Sequence, residues 1–190
     1  ARLGTFRGAS CTATYNGIWI RGSGRENTAL ENFDGASPHR AIISIGRDAE
    51  SPAEEAGNDR VTGIAITDIA LRQVKNPTSV LQTIWSYATA DVRIENTAGS
   101  GNSYECYIMG GGLKSVRWLV RNNVMGPCGH GGPMYPTSTS AINLNGADWV
   151  AEGNVVTEST QGIEMGSRRG TLIDNLLIGT GVGGSPKIGV

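Results

Sequence analysis

Residues 141–156 (AINLNGADWVAEGNVV) and 162–177 (GIEMGSRRGTLIDNLL) carry one phrase twice. Each copy has a short alternating apolar strand, a corner of Gly, Asn or Ser, a second strand, and then Asn followed by an apolar residue. Laying Asn154 on Asn175 brings Ile142 onto Ile163, Leu144 onto Met165 and Glu152 onto Ile173, a period of 21 residues. Self-similarity at about 20–30 residues, made of strands and turns without helical spacing, predicts a solenoid. Each coil then buries its apolar face only by stacking on the next.

The phrase extends backwards through the chain. Asn or Asp followed by an apolar or β-branched residue recurs at Asn32, Asp68, Asn96, Asn123, Asn154 and Asn175, with spacings of 36, 28, 27, 31 and 21 residues. Such variation is expected where insertions are confined to corners between stacked strands. Asn and Asp suit a corner because they tolerate left-handed backbone and hydrogen-bond to neighbouring peptide groups. These six residues are therefore expected to stack along one corner. The alternation before them places Ile84, Ile94, Ile108, Leu119, Ile142, Leu144, Val150, Ile163, Met165 and Ile173 inward, although Arg121 and Glu152 break the apolar rule.

Residues 17–33 (GIWIRGSGRENTALENF) and 61–74 (VTGIAITDIALRQV) add short xIxIxG strands to the Asn series. Together they resemble the right-handed parallel β-helix of the pectate-lyase-like superfamily, which includes phage tailspikes and polysaccharide depolymerases. The resemblance covers almost the whole chain and concerns architecture. It implies an all-β solenoid of about six to seven coils in one domain, residues 1–190. Residues 1–16 form an incomplete first coil, 17–178 the stacked coils and 179–190 a tail. No polar cap is visible at the start, so the chain reads as part of a longer one, or as one end of an assembly, because an open solenoid end leaves strand edges unpaired.

Composition agrees with this class. A chain of 190 residues with 28 Gly, two Phe and 17% charged residues is turn-rich and sparsely charged, which fits a β solenoid better than a helical bundle or a disordered tail. The formal net charge of −1 lacks the clustered basic surface that nucleic acid or an anionic membrane demands. No run approaches the roughly 18 apolar residues of a membrane-spanning helix. Cys11, Cys106 and Cys128 are an odd set without metal-site spacing, so no zinc site or disulfide framework is read. No cofactor is implied. Asp48, Glu50, Glu54, Glu55 and Asp59 offer oxygen ligands for calcium but lack EF-hand spacing, and read as a solvated loop.

The register also selects a candidate site. Ile84-Trp85-Ser86-Tyr87 falls over Ile142-Asn143-Leu144-Asn145 and Ile163-Glu164-Met165-Gly166. Burying the aliphatic residues turns Trp85, Tyr87, Asn143, Asn145 and Glu164 outward, with Tyr107 joining them from the intervening coil. Aromatic faces cover the apolar faces of sugars, and amides with a carboxylate satisfy their hydroxyls. Insertions at 97–105 and 125–140 are expected to wall this row, the second bringing His130 and Tyr135.

Polysaccharide binding, with cleavage as a further expectation, follows from the resemblance and this row together. Hydrolysis would pair Glu164 with a carboxylate about 5–10 Å away, for which Glu105 is the candidate and Asp148 the reserve. Lyase chemistry would use His130 or Tyr135 as base, with an Arg or calcium neutralising a uronate. The competing class is a non-catalytic spike or adhesin domain, trimeric, with the aromatic row as receptor patch or subunit interface. Either class places the protein outside the cell or on a virion surface, facing a polysaccharide or surface glycan.

Overall fold

The computed structural model describes residues 4–8, 11–13, 16–32, 41–46, 60–73, 82–100, 108–111, 115–127, 140–159 and 161–179. Among these the regular structure is entirely strand. In chain order the first strands are β1 (Gly4–Gly8), β2 (Cys11–Ala13), β3 (Trp19–Arg21), β4 (Thr28–Asn32), β5 (Ala41–Ile45) and β6 (Val61–Thr67). They continue as β7 (Ala70–Gln73), β8 (Gln82–Tyr87), β9 (Thr89–Glu95), β10 (Ala98–Ser100), β11 (Ile108–Gly111) and β12 (Val116–Arg121). The last are β13 (Val124–Met125), β14 (Ser140–Glu152), β15 (Val155–Thr157), β16 (Gln161–Ile173) and β17 (Leu176–Ile178).

The pairings are parallel and join equivalent strands of successive repeats. A seven-stranded sheet runs β1-β4-β7-β10-β13-β15-β17. A ten-stranded sheet has two arms, β2-β5-β8-β11 and β3-β6-β9-β12, which meet on the long strand β14, with β16 beside it. Residues 98–100, expected within a wall, are instead strand β10 of the seven-stranded sheet. Parallel neighbours cannot be joined by a tight hairpin, so the chain makes a circuit before pairing with itself again.

Stacked aliphatic side chains fill the space between the sheets. On the first arm Ile43, Ile84, Ile108, Ile142 and Ile163 are in register, so β-branched residues meet their own kind at each level. All five are buried. On the second arm Ile64, Val92, Trp118 and Trp149 form one inward row, and Ile66, Ile94, Val120 and Ala151 the next. The rings of Trp118 and Trp149 lie 4.7 Å apart, and Trp118 Nε1 donates to Thr89 Oγ1 at 3.1 Å. Gly110 of β11 supplies the room, since a Cβ there would strike the Trp149 ring.

This corrects part of the expected core. Leu119, Val150 and Ile173 face outward, and Trp118, Trp149 and Leu172 take their places inside. The error has one source. Thr97, not Asn96, stands at the level of Asn123: its amide and hydroxyl both donate to Asn123 Oδ1, at 2.9 and 2.7 Å. Aligning Asn96 with Asn123 keeps Val92 and Ile94 inward but reverses the assignment of the later strands, because one residue of slip exchanges the faces.

The corner itself is therefore two adjacent columns. Asn123, Asn154 and Asn175 form the hydrogen-bonded ladder: Asn123 Nδ2 donates to Asn154 Oδ1 at 2.9 Å and Asn154 Nδ2 to Asn175 Oδ1 at 2.8 Å. Each Nδ2 also donates to a strand carbonyl, that of Ile94, Val120 or Ala151. The left-handed backbone belongs to the preceding column, Asp68, Asn96, Asn122, Gly153 and Asp174, with φ between 48° and 60°. Asp68 and Asn96 thus stack beside the ladder rather than in it, and Asn32 pairs with Gln73 at the end of β4.

A second left-handed column stands where the second arm begins. Its members Asp91, Arg117, Asp148 and Arg169 have φ of 55°, 55°, 60° and 61° and alternate in charge. Arg117 grips Asp91 with two hydrogen bonds of 2.7 and 2.8 Å, and Arg169 grips Asp148 at 2.6 and 2.8 Å. Bidentate geometry fixes each pair in register as well as in charge.

Candidate functional site

The structure brings together Glu164, Asn143 and Asn145 of the expected row. Glu164 is exposed, and its Oε2 accepts from Ser140 Oγ at 2.7 Å and from Asn143 Nδ2 at 3.1 Å. Asn145 Nδ2 in turn donates to Asn143 Oδ1 at 2.8 Å. The aromatic half of the row differs. Trp85 shares the outward parity but is only 5% exposed, and its ring stacks on half-buried Tyr87 at 6.2 Å. It offers no open platform. The position between Trp85 and Asn143 belongs to Met109, and Gly111 stands beside Tyr87. Glu105, Tyr107, His130 and Tyr135 lie outside the described residues, as do the acidic loop at 48–59, Cys106 and Cys128. Asp148, the reserve carboxylate, is committed to Arg169 in the charged column. Among the described residues no cluster of metal ligands occurs.

Among the described residues the open aromatic surface lies on the second arm. Ile18 and Ile20 point into the core, so alternation turns Trp19 and Arg21 outward. Trp19 is 61% exposed, which is unusual for the largest apolar side chain. It is also fixed. Its Nε1 donates to Thr67 Oγ1 at 3.0 Å, and the Arg21 guanidinium lies 5.0 Å from the ring centroid. Arg21 Nε donates in turn to Asp68 Oδ2 at 3.3 Å. One ring face is thereby occupied by a cation, a contact that restrains the indole.

From Trp19 a groove of ≈ 480 Å³ runs up the outer face, floored by Ala65, Thr67, Arg93 and Glu95 and bordered by Asp68, Asn96, Arg121 and Asn122. Its polar groups are tied to one another. Arg93 Nη2 donates to Glu95 Oε2 at 2.6 Å. Glu95 Oε1 lies 2.7 Å from Arg121 Nη2, but off the line of its N–H, so this is an ionic contact and not a hydrogen bond. Glu95 is largely buried beneath its two arginines, whose ionic contacts offset the cost of taking a carboxyl group out of water.

The Asp68 carboxyl sits below its ordinary value chiefly because Asn96 Nδ2 donates to it at 2.6 Å. Thr67 and Arg21 add to the shift, and partial desolvation opposes it. The site thus presents fixed cations, carboxylates and amides beside one accessible indole. Such an array has the chemistry to hydrogen-bond a hydroxyl-rich ligand.

No match to this chain is found among protein families, characterised proteins or solved structures.

The second-arm groove is the part of the site that the sequence reading passes over. The signal is present in the phrase GIWIRG, whose inward isoleucines imply an outward Trp19 and Arg21. The same rule applied to Val92 and Ile94 turns Arg93 and Glu95 outward beside them. Only the true corner register stacks Arg21, Thr67, Glu95 and Arg121 at one position of four successive strands.

Proposed function

We propose that this chain is a right-handed parallel β-helix of about six to seven coils that binds polysaccharide in the Trp19 groove. The parallel pairing of successive repeats, the Asn ladder and the all-β content support the architecture. One observation carries the function: an exposed indole, clamped by Thr67 and Arg21, stands at the foot of a groove of hydrogen-bonded polar side chains. A sugar ring laid on the free face of Trp19 buries its C–H surface there, while hydroxyls of the sugar units that follow along the stack meet Arg93, Glu95, Asn96 and Arg121. A bacterial surface or extracellular glycan is the proposed partner.

The four tryptophans provide the test, because Trp19 alone is exposed while Trp85, Trp118 and Trp149 are buried. Acrylamide should quench mainly Trp19. Polysaccharides from a panel of capsular, O-antigen, uronate and neutral glucan and mannan chains should protect it, and Trp19→Ala should lower affinity at least tenfold without loss of fold by circular dichroism. Absence of protection by every glycan would overturn the reading and leave the spike or adhesin domain in its place.

A further inference from the structure

Beyond β16 and β17 the parallel stack has no further strand among the described residues. There β16 pairs only with β14 and β17 only with β15, so the far edge of each carries backbone groups without a strand partner. The core is open on the same side: Met165, Leu172 and Leu177 are half-buried, whereas Leu144, Ala151 and Val156 beside them have no exposed surface. Ile173, Leu176 and Ile178 are exposed there as well.

Two columns meet this edge with a partner missing from their own pattern. In the ladder each Asn caps the amide of the level before it: Asn123 Oδ1 accepts from Thr97 N at 2.9 Å, Asn154 Oδ1 from Asn123 N at 3.1 Å, and Asn175 Oδ1 from Asn154 N at 3.1 Å. The Asn175 amide has no such acceptor among the described residues, and its carbonyl lacks the amide that the Asn123 and Asn154 carbonyls receive from Val155 and Leu176. In the charged column Arg117 stands between Asp91 and Asp148, one acid on each side. Arg169 has Asp148 on one side only, and its side chain is largely exposed. The charged residue stands six positions before the ladder residue at every level, from Asp91 and Thr97 to Arg169 and Asn175.

We propose that this edge docks an extended segment of a partner polypeptide as one more parallel strand, and that it selects a segment with an acid six residues before an Asn. The acid lies against the free side of Arg169 and continues the alternation of charge, while the Asn caps the Asn175 amide. Apolar residues ten and three positions before that Asn, and two after it, cover Met165, Leu172 and Leu177, as Leu144, Ala151 and Val156 do from the other side. A second copy stacked head to tail fits less well, because its charged column begins with Gly17 and Gly63 and brings no acid to Arg169. The docking edge is independent of the glycan reading: the groove's lining ends at Arg121 and Asn122, two levels away.

The probe is a dye-labelled peptide with the sequence of residues 140–157, which carries Asp148, Asn154 and these apolar residues, titrated into the full chain and read by fluorescence anisotropy. It should bind the monomer saturably, and a benzophenone in place of its Glu152 should capture Ile173. Asp148→Arg or Asn154→Val in the peptide should weaken binding by roughly tenfold or more. In the protein, Arg169→Ala should keep the circular dichroism spectrum and weaken the parent peptide by roughly fivefold, yet leave an Asp148→Ala peptide within about twofold, a coupling that loss of an unrelated surface charge does not produce. Trp19→Ala should bind the peptide as the wild type does. Equal binding of all the peptides, or capture away from β16, would overturn the proposal. So would absence of binding: a dimeric protein would then make a second copy the occupant of the edge, and a monomeric one would leave it to residues 180–190.

Discussion

Asn154 shows how one side chain holds a corner. It accepts from the Asn123 amide at 3.1 Å and Nδ2 at 2.9 Å, and it donates to Val120 O and Asn175 Oδ1. It is fully buried, and its own backbone is not left-handed, since the left-handed turn falls on Gly153, which adopts it without strain. The energy at this position is therefore one of hydrogen-bond satisfaction. Asn154→Val should leave the Asn123 N–H and the Val120 carbonyl unpaired, at about 1–3 kcal/mol each, for a total of roughly 2–6 kcal/mol in urea unfolding. Asn154→Thr should cost less than Val, because Thr97 already occupies the equivalent place and bonds through its hydroxyl. Equal losses for Val and Thr would show that shape, not hydrogen bonding, sets the corner.

At the scale of a strand, β14 carries the test of register. Ile142 sits in the stacked isoleucine row with no exposed surface, whereas Val150, eight residues away in phase by the apolar pattern, faces outward beside Thr171. Ile142→Ala should cost about 2–5 kcal/mol, since a close-packed interior closes only partly around a cavity. Val150→Thr should change stability by less than about 0.5 kcal/mol, as surface substitutions generally do. The comparison is read from urea midpoints at constant slope. A large loss at Val150 would return it to the core and reverse the second arm. The strand switches parity because Asp148 inserts a left-handed residue between the two halves, and a residue of that backbone breaks strict alternation.

For the molecule as a whole, charge is arranged along the stack in columns. Asp91 is held below its ordinary carboxyl value of 3.8 first by the Arg117 hydrogen bonds, Asp148 by those of Arg169, and Asp68 by that of Asn96. Because the folded values are depressed, the unfolded chain takes up protons first as acid is added. The stabilisation is complete above 3.8 and is lost as pH falls through the lower folded values. The urea midpoint should therefore drop as pH decreases below about 3.8, and the drop should shrink in Asp91→Asn/Asp148→Asn. These pairs are exposed, so added salt should weaken the effect. An identical acid slope in the double variant would show that other groups carry the acid sensitivity.

The all-β class, the repeat, the first-arm register from Ile84 to Ile163 and the outward positions of Asn143, Asn145 and Glu164 were legible in residues alone. Strand alternation and a repeated Asn are local patterns, and stacking like on like needs no further information. Two things were decided only by tertiary structure. One is which residue at each corner bends the backbone and which bonds along the stack: Asn96-Thr97 and Asn122-Asn123 offer the same letters in different roles, and only the pairing of Thr97 with Asn123 separates them. The other is exposure. Trp85 and Trp19 have the same parity on their strands, yet one is buried and the other stands open, because accessibility depends on what the rest of the chain lays over a face and not on the face itself.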